Sequence, residues 1–295
     1  SEMLSLAVTR TWRRAESIAP SDVPVVLGGE TGTGKEVLAR AIHERSGRAG
    51  PFLGINCGAV PSELIESTLF GHKRGAFSGA TVDSPGVFRG AERGTLLLDE
   101  VGELPARAQV SLLRVLQERE VMPVGAHRAV PVDVRIVCAS HAELGELVEE
   151  NLLRRDLHMR LAGLSLQLPA LRDRLEDLGL LVASICHSLG RPVPSVSREL
   201  LRSWFAYDWP GNVRELSQVL VTGAELAGDT ELSMEHMPDR MRQPSDESDD
   251  LRGKLIDALE RHRGNVSAVA RELGKARVQI RRWCTRLGID ISGYR

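Results

Sequence analysis

Eight consecutive residues, Gly29-Glu30-Thr31-Gly32-Thr33-Gly34-Lys35-Glu36, carry the spacing G-x-x-x-x-G-K. Glycines at these positions let successive backbone N–H groups turn onto one anion, and a following helix adds the partial positive charge of its N-terminus. Lys35 would then set a point charge against the β- and γ-phosphates of a nucleotide. A glycine-rich turn before an ordinary helix could carry the same letters, so the flanks decide. Val25-Val26-Leu27 ahead of the loop is a strand signal, and Val37-Leu38-Ala39-Arg40-Ala41-Ile42 after it keeps a helical period. Glu36 stands where Ser or Thr usually reaches Mg2+. A second stretch completes the chemistry: Gly94-Thr95-Leu96-Leu97-Leu98-Asp99-Glu100 is an apolar strand ending in two acids. In a phosphate-loop fold Asp99 would order Mg2+ through its waters, and Glu100 would orient the attacking water.

The elements that must position these groups alternate. Pro51 to Cys57 and Val132 to Cys138 read as further strands, and Pro105 starts a helix carrying Val110, Leu112, Leu113, Val115 and Leu116. Strand–helix alternation implies a mainly parallel, doubly wound sheet with right-handed crossovers. Residues 1–20 read as an amphipathic helix and a turn. Pro61, with Ser62 as its N-cap, opens a helix that puts Leu64, Ile65 and Leu69 on one face. A short glycine-marked excursion runs through Gly125-Ala126-His127. From Leu171 the strand signal stops. Leu178 to Leu189, Ser197 to Phe205 and Asn212 to Leu226 are helical by period, broken at Gly190-Arg191-Pro192 and Trp209-Pro210-Gly211. The expectation is an α/β nucleotide-binding subdomain over 1–170 and an all-helical lid over 171–240. An acidic linker would occupy 241–250, apolar-free from Gln243 to Asp250, and a separate domain 251–295.

Two further stretches suggest partners. Gly75-Ala76-Phe77-Ser78-Gly79-Ala80 is a glycine-bounded hexapeptide whose polar flanks leave Phe77 little to pack on locally, so the loop is a candidate for touching another macromolecule. The tail reads as three short helices, with Asn265 as an N-cap, a glycine turn at Gly274, and Ile280, Cys284 and Leu287 facing inward; this is a helix-turn-helix plan. Between Arg261 and Gly288 it holds eight Lys/Arg (Arg261, Arg263, Arg271, Lys275, Arg277, Arg281, Arg282, Arg286) against the single acid Glu272. Arg277, Gln279, Arg281 and Arg282 point outward from the third helix and are candidates for base or phosphate contact on double-stranded DNA.

Composition bounds the rest. The chain has 295 residues, 42% hydrophobic and 26% charged, an ordinary globular balance with room for two or three domains. A formal net charge of -2 excludes a uniformly basic nucleic-acid binder but leaves room for a basic end. Cys57, Cys138, Cys186 and Cys284 are too scattered for a metal quartet or a redox pair, which suits a reducing compartment. With no apolar run near the roughly 18 residues of a membrane span and no signal-peptide pattern, the expected place is the cytoplasm. The chain opens on Ser1 with no initiator Met, so an upstream segment is expected.

Taken together these motifs resemble the sigma-54-dependent transcriptional activators, over nearly the whole chain. The resemblance rests on Gly29 to Glu36, Ile55-Asn56-Cys57, Leu64 to His72, Leu98-Asp99-Glu100, Leu112 to Glu118, and Trp209-Pro210-Gly211-Asn212-Val213-Arg214-Glu215-Leu216. It implies an AAA+ core and lid, a Fis-type helix-turn-helix, and a ring, typically a hexamer, with ATP and Mg2+ bound between neighbours. Glu commonly follows the phosphate-loop lysine in that family, which accounts for Glu36. By the resemblance Lys35 holds phosphates, Asp99 the metal and Glu100 the water, while Asn56 swings Glu100 between active and inactive positions. Arg154 and Arg160 match arginines that reach a neighbour's γ-phosphate, Arg214 matches the lid's sensor arginine, and Gly75 to Ala80 matches the loop that touches sigma-54 in RNA polymerase. Three departures stand out: Ser78 replaces a threonine, His141 replaces the asparagine that senses γ-phosphate, and Arg155, His158 and Met159 replace the usual acid and aromatics. Ser78 and His141 motivate an alternative, a DNA-binding regulator whose ATPase or sigma-54 coupling has decayed. A small-molecule kinase fits poorly, because it leaves the DNA-reading tail unexplained.

Overall fold

The computed structural model describes residues 5–228, 230–242, 246–274 and 277–294. Its contacts divide the chain into two units, Ser1–Leu232 and Ser233–Arg295.

In the first unit the strands are β1 (Val25–Gly28), β2 (Phe52–Asn56), β3 (Thr95–Asp99), β4 (Glu120–Val121), β5 (Val130–Pro131), β6 (Arg135–Ser140) and β7 (Leu164–Gln167). Five of them form one parallel sheet in the order β2-β3-β6-β1-β7. Strands buried on both faces read as continuous apolar runs, and β1 and β6 are buried at every residue. Alternate residues serve opposite faces. Val26, Leu96, Leu98 and Cys138 join one cluster, with Ile65, Leu69, Leu112 and Leu157. Val25, Leu27, Leu97 and Val137 join the other, with Ala15, Leu38 and Ile42. Each fully buried leucine contributes about 1.5–3 kcal/mol, so these two layers anchor whatever the strand ends carry.

The helices of this unit are α1 (Leu6–Ile18), α2 (Lys35–Glu44), α3 (Ile65–Phe70), α4 (Gly86–Gly90), α5 (Ala106–Glu118), α6 (Leu144–Glu149), α7 (Arg155–Leu161), α8 (Leu178–Ser188), α9 (Arg198–Ala206) and α10 (Asn212–Ala227). The last three match the helical reading to within a residue or two, and Ser197 caps α9 by accepting from the Leu200 N–H at 3.2 Å. Other expectations need correction. Ser62 caps nothing: the Leu64 and Ile65 N–H groups both bond to the Pro61 carbonyl in a turn, and α3 starts only at Ile65. The strand expected from Val132 begins at Arg135. Strand β7 and the antiparallel β4–β5 pair had no clear signal, because four- and two-residue strands are too short to show a period.

The second unit holds α11 (Asp239–Arg242), α12 (Asp246–Arg261), α13 (Val266–Glu272) and α14 (Arg277–Arg286). Helix α12 starts inside the stretch read as a linker; residues 243–245 of that stretch lie outside the described residues. Asn265 caps α13, accepting from the Ser267 and Ala268 N–H groups at 3.1 and 3.3 Å. Leu255, Leu259, Val269, Ile280 and Cys284 form the core of this unit.

Candidate functional site

The carboxyl ends of the parallel strands bring the predicted chemistry together. Asn56 lies opposite Asp99, Asp99 opposite Ala139, and Gly28 opposite Ser140, so β2, β3, β6 and β1 deliver their terminal residues to one edge. Ligands of open α/β sheets bind at this edge.

The phosphate loop leaves β1 there and enters α2. Gly34 caps α2 in the left-handed region, and Gly32 has φ +83. A side chain at Gly32 would meet the Gly211 carbonyl 2.2 Å away, so only glycine lets the loop pass beneath α10. The Lys35 ammonium is buried. It donates to the Gly29 carbonyl at 2.7 Å and the Glu30 carbonyl at 3.3 Å, and stands 4.0 Å from Glu100 Oε1. Burial lowers its pKa from the ordinary lysine value, with Glu100 and Asp99 pulling the other way. The Thr33 hydroxyl donates to the Glu30 carbonyl at 2.8 Å, and Glu36 pairs with Arg40 at 3.3 Å on an exposed face of α2.

Asp99 is half-buried next to Glu100. Burial first, then the Glu100 charge, raise its pKa above the ordinary carboxylate value. Glu100 sits in the left-handed region (φ 53), which turns its carboxylate back along the strand end. There Oε2 accepts from the His141 N–H at 3.3 Å and lies 2.6 Å from His141 Nδ1. His141 therefore touches Glu100 directly. The Asn56 side chain is engaged elsewhere: its Oδ1 accepts from the Gly58 and Ala59 N–H groups at 3.0 and 3.1 Å. Among the described residues no group of three or more His, Cys, Asp or Glu gathers as a metal cage. Two crowded carboxyls beside a buried lysine fit a hard cation that takes most of its ligands from phosphate and water.

The lid clamps the loop. Arg172 forms a two-pronged pair with Glu30, Nη1 to Oε2 at 2.9 Å and Nη2 to Oε1 at 2.7 Å. The Asn212 amide donates to Glu30 Oε2 at 3.2 Å and to the Thr31 carbonyl at 3.1 Å, while its Oδ1 accepts from the Leu171 N–H at 2.7 Å. Arg174 donates to the Thr33 carbonyl at 2.8 Å, and the Arg214 N–H to the Gly32 carbonyl at 3.3 Å. Arg214 stands against the phosphate loop, since a Cβ built at Gly32 would lie 3.1 Å from the Arg214 Cβ. A ring cluster fixes the turn before α10: Trp209 packs edge-on against Trp204 and Tyr207, and its Nε1 donates to the Trp204 carbonyl at 2.9 Å. Arg172, Arg174 and Asn212, which brace the loop at Glu30, Thr31 and Thr33, carried no assignment from the sequence. Only the Trp-Pro-Gly-Asn stretch hinted at them.

The remaining predicted residues lie apart. Arg154 and Arg160 are exposed at the two ends of α7, and the Arg154 guanidinium is held by Asp156 at 2.7 and 3.0 Å. That pairing raises the Arg154 pKa and lowers that of Asp156. The hexapeptide Gly75 to Ala80 forms a tight loop closed by the Gly75 N–H to Ala80 carbonyl bond at 2.8 Å, with left-handed glycines at both ends. Asp83 braces its base through the Lys73 ammonium at 2.7 Å and the Arg74 N–H at 2.8 Å. Phe77 is 36% exposed but does have a neighbour, the His72 ring, edge-on at 5.0 Å. Ser78 is exposed. In the second unit Arg277, Gln279 and Arg281 are exposed on α14; the side chains of Arg282 and Lys275 lie outside the described residues. All four cysteines are buried and unpaired. No described helix is long and apolar enough to cross a membrane.

The sigma-54 interaction domain family matches residues 3–167, the AAA+ ATPase lid domain 172–254, and the Fis family of bacterial regulatory proteins 252–282. The hydrogenase transcriptional regulatory protein HoxA of Cupriavidus necator is 41% identical over 94% of this chain, which spans 63% of that relative's length. The response regulator PilR of Pseudomonas aeruginosa is 41% identical over 92% of the chain and 66% of its own length. The crystal structure of NtrX from Brucella abortus in complex with ATP matches at 30% identity and a TM-score of 0.72, covering 98% of this chain and 69% of that one.

Proposed function

The chain belongs to the sigma-54 interaction domain family, and from that premise we propose that it cleaves ATP in an oligomeric ring to remodel the closed complex of sigma-54 RNA polymerase from an upstream DNA site. Residues 1–170 would form the nucleotide-binding subdomain, 171–240 the lid, 241–250 a connector and 251–295 the DNA-binding domain. The observation that carries this reading is the convergence of Lys35, Asp99 and Glu100 at one sheet edge, with the Arg214 N–H on the phosphate loop.

In the proposed step, water held by the Glu100 carboxylate attacks the γ-phosphorus. The bond from that phosphorus to the bridging oxygen breaks, ADP departs with the electron pair, and the water's proton passes to Glu100. Lys35 and the loop N–H groups neutralise the phosphate oxygens. A magnesium ion held by Asp99 would add positive charge there. Arg154 and Arg160, exposed at the two ends of α7, would complete a neighbour's site, where an arginine supplied in trans is worth about three to five orders of magnitude in rate. His141, hydrogen-bonded to Glu100, would report γ-phosphate by holding or releasing that carboxylate, with Asn56 as its counterpart on β2. The Gly75–Ala80 loop would carry the stroke to sigma-54, while exposed Arg277, Gln279 and Arg281, with Arg282, hold DNA. A hexameric ring and a cytoplasmic setting complete the proposal.

The test is ATP turnover by the full chain. Glu100→Gln should retain nucleotide binding and lose roughly 100- to 10,000-fold in rate, and Lys35→Ala should lose both binding and turnover. The His141 contact favours a second reading, occupancy of DNA without hydrolysis: negligible turnover by the wild type, with DNA binding intact, would select it.

A further inference from the structure

One buried polar side chain belongs to none of the groups above. Helix α5 buries Ala108, Leu112 and Val115, yet among them stands Gln109, 3% exposed. A leucine there would bury without any polar cost, so an amide needs a reason. Its partners supply one. Nε2 donates to the Leu104 carbonyl and to the Leu152 carbonyl, each at 2.8 Å, and Oε1 accepts from the Arg154 N–H at 2.9 Å. All three partners lie in irregular backbone, where buried groups have no ladder to satisfy them. The amide orientation is dictated by chemistry: flipped, it would set oxygen against two carbonyls and nitrogen against an N–H.

The two ends of this bridge matter. Leu104 ends the short helical turn, Val101–Glu103, that follows Glu100, so its position is tied to the carboxylate that would hold water. Leu152 and Arg154 belong to the loop that presents the trans-acting arginine. Between them lies an open cleft of about 560 Å³, lined by Gly102, Leu104, Gln109, Leu152 and Arg154. Gln109 fastens one wall of this cleft to the other.

We propose that Gln109 is a positioning residue for the arginine loop, transmitting displacement of the Glu100 segment in one subunit to Arg154, which serves the next subunit's nucleotide. The inference rests on the trans role of Arg154 proposed above. Removing the amide leaves a subunit's own phosphate loop and Lys35 in place and unfastens the Arg154 loop from the Glu100 segment. A shift of about 1 Å at such a group is worth on the order of a hundredfold in rate.

The experiment uses full-length Gln109→Leu alone and mixed with Lys35→Ala. Alone, Gln109→Leu should bind a non-hydrolysable ATP analogue within twofold of wild type and lose at least tenfold in kcat. Mixed in equal amounts with Lys35→Ala, it should recover turnover well above the sum of the two, because its intact loop then faces the partner variant's correctly held Arg154. A parallel mixture of Arg154→Ala with Lys35→Ala serves as the control. Recovery in the control but not with Gln109→Leu would overturn the role given to Gln109, as would wild-type turnover by Gln109→Leu alone. No recovery in the control would overturn the trans reading and the proposal with it. If Gln109→Leu fails to fold by thermal melting, Gln109→Met, which keeps the unbranched length of the side chain and loses all three hydrogen bonds, takes its place with the same expected recovery.

Discussion

Asn212 offers the sharpest quantitative test of how the lid holds the phosphate loop. It is fully buried, and its amide joins the Leu171 N–H, the Thr31 carbonyl and Glu30. Its backbone has φ 53, in the left-handed region that asparagine and glycine enter most readily. Asn212→Ala removes all three bonds and strands the Leu171 N–H. At about 1–3 kcal/mol for an unsatisfied buried group and about 0.5–1.5 for each part-buried bond, the loss is on the order of 2–6 kcal/mol. Alanine also carries about 1–2 kcal/mol of left-handed strain. Glycine at the same site loses the same bonds without the strain, and gives back about 0.4–1 kcal/mol through its freer unfolded chain. Asn212→Gly should therefore be the more stable variant by about 0.5–1 kcal/mol, which for a unit of this size is roughly 1–4 °C in melting midpoint. Thermal unfolding followed by circular dichroism reads this ordering. Equal midpoints, or a more stable alanine variant, would refute the strain argument; both variants within half a degree of wild type would refute the bracing itself.

Two further outcomes follow from the geometry. His43 packs on the Phe52 ring with Nδ1 2.9 Å from the Thr95 hydroxyl, and burial lowers its pKa below the ordinary 6.5, with Arg40, Arg48 and Arg135 acting in the same direction and Glu44 against. A depressed folded pKa contributes stability that is complete above about 6.5 and is lost as pH falls through that value toward the folded one. The drop in melting midpoint between pH 7.5 and pH 5.5 should shrink in His43→Gln; an unchanged drop would contradict this. Arg281→Ala should weaken duplex binding and flatten the plot of log affinity against log salt by about one unit, read by fluorescence anisotropy, and wild-type affinity at moderate salt would remove Arg281 from the interface.

What the sequence could reveal tracked the range of each interaction. The phosphate loop, the Asp99–Glu100 strand end and the lid helices announced themselves because their signals lie within a few residues. Strand β7 did not: Leu164 to Gln167 earn their place by pairing with β1, whose residues lie more than 130 positions earlier. The same distance hid the Glu30–Arg172 pair: the loop spacing picks out Glu30 but says nothing of its carboxylate, which braces the lid. Phe77 read as unsupported because His72 lies five residues away across a turn that composition does not describe. Gln109 was passed over inside a run of apolar helix positions, since nothing local says which amide is buried.

The central claim is that nucleotide chemistry drives the Gly75–Ala80 loop onto sigma-54. Its most direct measurement is complex formation between the full chain and purified sigma-54, by gel filtration, with ATP analogue, ADP, or ADP plus aluminium fluoride as a transition-state trap. The account predicts a stable complex in the trapped state, absent with ADP, and lost in Phe77→Ala while that variant still hydrolyses ATP. No complex in any nucleotide state, or one equally strong in all of them, would contradict it.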